Sequence, residues 1–153
     1  MEFSVTVLPG DGIGPEVVAE GVKVLKEIGE RFDHRLKLGH GLIGAAAFDQ
    51  EGTALPSRTI EMCKAGDAIL FGAVGEPKYE DPKVNVRPES GYGLIRLRKE
   101  LGLFANLRPV KLFSALVNST NLKPEVVEGV DLMLVRELTG GLYFSEPKQI
   151  RQT

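Results

Sequence analysis

The sequence predicts an α/β fold, an open and largely parallel sheet flanked by helices, and three observations carry that prediction. Strand-like apolar runs alternate with segments of helical period. One run, Ala68 to Val74 in "GDAILFGAV", is apolar without interruption, as in a strand covered on both faces. A glycine-rich turn, "LPGDGIGPEV", joins the first strand pattern to the first helix pattern.

Phe3 to Leu8 alternates and is rich in β-formers, which predicts the first strand. Pro15 to Ile28 sets Val18, Val22, Leu25 and Ile28 along one helical face, with Pro15 at the first helical position. The turn between them could cradle an anion on a helix N-terminus, or could be no more than a tight strand-to-helix connection. Gly10, Gly12 and Gly14 followed by Pro15 match neither G-x-G-x-x-G nor a P-loop, so the spacing favours the plain turn. "RLKLGHG" alternates as a second strand, "GLIGAAAFDQEGTALP" reads as a small-residue helix or loop, and Ser57 to Cys63 reads as a helix with Ser57 as its N-cap.

After the buried run, residues 75 to 90 are polar and punctuated by Pro77, Pro82 and Pro88. A loop of this length at the carboxyl end of a strand is where open α/β sheets bind ligands. A helix is expected from about Gly91 to Leu101, and "GVDLMLVREL" is expected as a further buried strand.

The 153 residues suffice for one core, or for one domain and part of another. A net charge of −2 with interspersed signs offers no basic stripe for nucleic acid and no cationic membrane helix. No apolar run approaches the length of a membrane span and no signal segment follows Met1, so a cytoplasmic location is expected. Cys63 is the single cysteine and reads as a core residue in a reducing compartment.

Three arginines stand in apolar settings: Arg98 in "IRLRKEL", Arg108 in "ANLRPVK", held extended by Pro109, and Arg136 in "MLVRELTGG". Their planar forks suit carboxylates, or they form structural ion pairs with Glu100, Glu137 or another acid. Leu94 and Ile95 share a helical face with Arg98, either as core or as a pocket for a carboxylate with an aliphatic branch. Tyr143, after Gly140 and Gly141, is either a proton donor or a half-buried strand tyrosine. His34 and His40 lack metal-ligand spacing.

Taken in order, "LPGDGIGPEV", "GAVGEPKYEDP", "VRPESG", "LRKELGLFANLRPVK" and "VRELTGGLYF" resemble the isocitrate/isopropylmalate β-decarboxylating dehydrogenase family, and its isopropylmalate branch in particular. Members are roughly twice as long or more, so the chain resembles their amino-terminal portion. The resemblance implies an isopropylmalate dehydrogenase-like, truncated fold. Residues 1–103 would begin the α/β domain of the cofactor cleft, and residues 104–153 an incomplete second domain that forms a homodimer. It implies oxidative decarboxylation of (2R,3S)-3-isopropylmalate to 2-oxoisocaproate in leucine biosynthesis, with NAD and Mg²⁺ or Mn²⁺. It assigns the substrate carboxylates to Arg98, Arg108 and Arg136, the isopropyl group to Leu94 and Ile95, and the proton donor to Tyr143. It assigns the cofactor to Ile13, Glu76, Pro77, Lys78, Tyr79, Val86, Arg87, Pro88 and Glu89. The family's form "GGPK" stands here as "GEPK", which places the Glu76 carboxylate where the loop has no side chain. The metal ligands and the lysine base would lie outside these residues, so the chain alone is expected to be inactive. Alternatives are a sister enzyme acting on tartrate, malate or homoisocitrate, and a non-catalytic anion-binding or dimerisation fragment.

Overall fold

The computed structural model describes residues 1–79, 88, 90–138 and 140. The chain divides into two units, Met1–Leu101 and Gly102–Thr153. In the first, strand β1 (Glu2–Gly10) runs parallel to β2 (Arg35–His40) on one side and to β3 (Ala68–Ala73) on the other, giving the order β2-β1-β3.

Side-chain alternation along β1 assigns each face its partner. Val5 and Val7 face helix α1 (Gly14–Arg31), as does Leu70 of β3, which approaches Gly21. Thr6 and Leu8 face the other way, and Leu8 packs in a core with Ile43, Leu55, Ile60, Cys63 and Leu97. Ile69 and Phe71 of β3 join that second core. Helices α2 (Ala45–Glu51), α3 (Ser57–Ala65) and α4 (Leu94–Glu100) supply its outer layer. The middle strand is therefore buried on both faces, as its β-branched, apolar sequence requires. Cys63 is a core residue, and burial pushes its thiol pKa up.

The structure corrects several expectations. β3 is half-buried rather than buried, because it is the last strand of its sheet among the described residues. On α1, Val18 is buried and Val22 and Leu25 are half-buried, but Ile28 is 42% exposed and Gly29 is buried instead. Eleven residues make three helical turns, so the stripe that starts at Val18 arrives at 29, not 28. The helix begins at Gly14, which puts Pro15 one position further in. Ser57 is not the N-cap of α3: Pro56 holds that place, and its carbonyl accepts from the Thr59 and Ile60 amides. The helix expected from Gly91 begins at Leu94, after a left-handed turn.

In the second unit, β4 (Ala105–Lys111) and β5 (Asp131–Glu137) form an antiparallel ribbon. A 3₁₀ turn, Ser114–Ser119, and the one-turn helix α5 (Pro124–Val127) connect them. β5, expected as a buried strand, exposes all seven of its residues: among the described residues it pairs with β4 alone, and apolar composition does not itself provide a covering layer.

Candidate functional site

The chain leaves β1 to β2 on one side and returns to β3 on the other, so the loops at the carboxyl ends of β1 and β3 flank a topological switch point. The glycine turn is one of these loops. A Cβ on Gly10 would overlap the Ala73 carbonyl oxygen, and one on Gly14 the Pro9 carbonyl oxygen. These glycines exist because two backbones touch. The Asp11 amide donates to Ala73 O at 2.9 Å and the Gly14 amide to Asp11 O at 2.9 Å, so the turn spends these donors on itself.

Asp11 organises the switch point. It is 7% exposed, its Oδ2 accepts from the Ala45 amide at 2.5 Å, and its Oδ1 accepts from the Gly75 amide at 2.6 Å. One carboxylate thus joins the turn after β1, the start of α2 and the loop after β3. Ile13, a sequence-derived cofactor candidate, projects beside this junction and is 58% exposed.

The other described cofactor candidates follow directly. Glu76 precedes a 3₁₀ turn, Pro77–Tyr79, closed by the Tyr79 amide donating to Glu76 O at 2.9 Å. Lys78 Nζ lies 2.5 Å from Asp49 Oδ2, and the Tyr79 hydroxyl donates to Asp49 Oδ1. Phe48 meets the Tyr79 ring edge-on at 5.5 Å. The Lys78 hydrogen bond, and then that of Tyr79, hold the Asp49 carboxyl below its ordinary value, while Asp49 raises both Lys78 and Tyr79. Pro88 is half-buried, and Val86, Arg87 and Glu89 lie outside the described residues.

Helix α4 is docked by its neighbours. Gly91, Tyr92 and Gly93 all take positive φ, and a Cβ on Gly93 would press on the Ala54 backbone. The Tyr92 hydroxyl donates to Glu76 O at 3.4 Å, linking this turn to the loop after β3. Leu97 enters the core at 3% exposed, while Leu94, Ile95 and Arg98 are half-buried. At about 100° per residue these three form a separate face from Leu97. Glu100 is paired with Lys64 at 3.0 Å, and Arg98 makes no ion pair among the described residues. The ion-pair reading of Arg98 with Glu100 therefore fails, and Leu94 and Ile95 are not plain core.

On the ribbon, Asn106 opposes Arg136 and Arg108 opposes Leu134. Opposed residues share a face and so do alternate ones, so Arg108 and Arg136 sit on the same side as diagonal neighbours, about 7–8 Å apart at the backbone. Arg108 Nε donates to Asn106 Oδ1 at 2.7 Å, a neutral partner, and Arg108 makes no ion pair among the described residues. Tyr143 lies outside the described residues. Among the described residues no three His, Cys, Asp or Glu side chains are placed to hold a metal ion, and no helix is long and apolar enough to cross a membrane.

The reading of the sequence passed over Asp11 and Asp49. Asp11 interrupts a glycine run that needs no acid for its turn, and this was the available signal; Asp49, in a helix of ordinary composition, offered none.

A family model described as isocitrate/isopropylmalate dehydrogenase matches residues 4–153. The chain is 54% identical over 149 residues to the 3-isopropylmalate dehydrogenase of Dehalococcoides mccartyi, covering 97% of this chain and 40% of that protein. It is 54% identical over 151 residues to that of Priestia megaterium, covering 99% and 40%. The chain thus spans about two fifths of the length of these curated relatives. Among solved structures, isocitrate dehydrogenase from Methylococcus capsulatus superposes with a TM-score of 0.70 at 31% identity, over 92% of this chain and 36% of that one. A β-decarboxylating dehydrogenase from Thermococcus kodakarensis gives 0.59 at 32%, over 88% and 33%.

Proposed function

The chain belongs to the isocitrate/isopropylmalate dehydrogenase family, and on that premise we propose that it supplies the amino-terminal part of a cytoplasmic, homodimeric, NAD-dependent 3-isopropylmalate dehydrogenase of leucine biosynthesis. The observation that carries the substrate choice is the face of α4. Leu94 and Ile95 stay half-buried beside Arg98 although Leu97 alone satisfies the core. A cation bordered by two branched apolar side chains matches a carboxylate bearing an isopropyl group. An additional carboxylate there would find no donor on Leu94 or Ile95.

Arg98 holds one substrate carboxylate, and Arg108 and Arg136, on one face of the ribbon, offer two further forks for carboxylates. Tyr143 delivers the proton to the enolate carbon after CO2 leaves. The switch point between β1 and β3, with the exposed Ile13 at its edge, is where a dinucleotide would be held, and NAD there would supply the hydride acceptor for the substrate's C2. Glu76 to Tyr79, in the loop after β3, would contact the cofactor, and the resemblance carries the same role to Val86, Arg87, Pro88 and Glu89. The described residues do not fit a divalent metal, and no step is assigned to one through them. The chain alone turns over no substrate.

The test is a chimera in which this chain replaces the matching amino-terminal portion of the Dehalococcoides mccartyi relative. NADH formation with 3-isopropylmalate and Mg²⁺ is expected, with Arg108→Lys raising KM for the substrate far more than KM for NAD, because Lys lacks the bidentate fork. Equal effects on both constants would remove Arg108 from the substrate site.

A further inference from the structure

We infer that Asp49, on α2, is a positioning residue for the cofactor turn: its carboxylate takes Lys78 and Tyr79 together and fixes how Pro77–Tyr79 leaves the sheet. The two oxygens are used separately, Oδ2 by the Lys78 ammonium at 2.5 Å and Oδ1 by the Tyr79 hydroxyl. Phe48, one residue earlier, meets the Tyr79 ring edge-on, and the Lys78 ammonium lies 5.0 Å from the centre of that ring. Two consecutive residues of the turn are therefore gripped by two consecutive residues of α2.

The grip has a fixed base. α2 is held at its start by Asp11 through the Ala45 amide, and the Gly44 amide donates to Ala54 O at 2.8 Å. The other oxygen of Asp11 holds Gly75. The segment from Gly75 to Tyr79 is thus tied at its first residue by Asp11 and at its last two by Asp49, with both ties converging on α2. The Lys78 ammonium is consequently neutralised within the protein. An anionic ligand that recruited it would share the ammonium's remaining N–H donors with Asp49, so Lys78 shapes the turn before any ligand arrives. The same grip is consistent with the raised Tyr79 phenol.

This inference rests on the reading of Glu76 to Tyr79 as cofactor-facing, and its test separates the two. In the 153-residue chain, Asp49→Asn keeps the shape and removes the charge. Amide exchange at Tyr79 is expected to quicken about fivefold, the scale of losing one exposed pair. Exchange at Gly75, held by Asp11, stays as it was. Spectrophotometric titration is expected to show one of the three tyrosines ionising at lower pH, and Asp49→Glu to restore part of both signals. Unchanged exchange and titration in Asp49→Asn would overturn the inference. In the chimera the same variant is expected to raise KM for NAD severalfold while leaving KM for 3-isopropylmalate alone. A loosened turn with an unaltered KM for NAD would overturn the cofactor reading of the turn and leave the Asp49 grip standing.

Discussion

Replacing Asp11 by Ala removes the one side chain that joins the glycine turn, α2 and the loop after β3. Two backbone amides lose a charged acceptor, Ala45 at 2.5 Å and Gly75 at 2.6 Å. A hydrogen bond to a charged group contributes about 1.5–3 kcal/mol, which puts the pair at about 3–6 kcal/mol. Ala45 is buried and water cannot replace the lost oxygen, whereas Gly75 is half-buried and water can. The expected cost is therefore in the lower part of that range, about 3–4 kcal/mol. Against a domain stability of about 5–15 kcal/mol this is a large fraction. Asp11→Asn retains one acceptor oxygen and sets an amide donor against the other N–H, so it should cost less than Ala but remain clearly destabilising. Urea unfolding followed by far-UV circular dichroism measures both. An Asp11→Ala midpoint corresponding to under about 1 kcal/mol would refute the assignment of Asp11 as the junction.

The two faces of α4 should separate stability from substrate binding. Leu97→Ala is expected to cost about 2–5 kcal/mol of stability, read by urea unfolding. Leu94→Ser should leave stability nearly unchanged and weaken 3-isopropylmalate by about 1.5–3 kcal/mol in the chimera, without comparable harm to malate; equal harm to both substrates would make Leu94 structural. Asp49, lowered by its Lys78 hydrogen bond and then that of Tyr79, contributes fully above the ordinary carboxylate value of 3.8, and that contribution is lost as pH falls through its lower folded value. Lys78 and Tyr79, both raised chiefly by their hydrogen bonds to Asp49, contribute fully below 10.5 and 10.0, and lose this as pH rises through their higher folded values. The grip should accordingly hold throughout pH 4–10, and Tyr79 ring resonances that shift near pH 6 would contradict it.

The sheet and its first helix were legible because their signals are local. Val5, Val7 and Leu8 are apolar toward both layers, and Val18, Val22 and Leu25 keep a helical period into the core. β4 was not assigned because Pro109 interrupts its alternation, although a two-stranded ribbon leaves a free edge where proline is tolerated. The positive φ values of Gly91, Tyr92 and Gly93 were absorbed into a helix, since two glycines around a tyrosine do not announce three left-handed residues in succession. Of the site, the pairing of Arg98 with Leu94 and Ile95 followed from helical spacing. The shared face of Arg108 and Arg136 depended on a strand register set by residues some 28 positions apart, which no local pattern encodes. Asp11 and Asp49 act over 34 and 29 residues of sequence to Ala45 and Lys78, and such contacts are visible only once the sheet brings the loops together.

The central claim is that α4 furnishes a carboxylate-binding arginine, Arg98, beside an apolar face, Leu94 and Ile95, shaped for an isopropyl group. Its most direct test is the ratio of kcat/KM for 3-isopropylmalate to that for isocitrate in the chimera, measured alongside the Leu94→Ser variant. The account predicts a strong preference for 3-isopropylmalate that falls at least tenfold, about 1.4 kcal/mol, when Leu94 becomes Ser. A chimera that prefers isocitrate, or one whose preference is indifferent to Leu94, would contradict it.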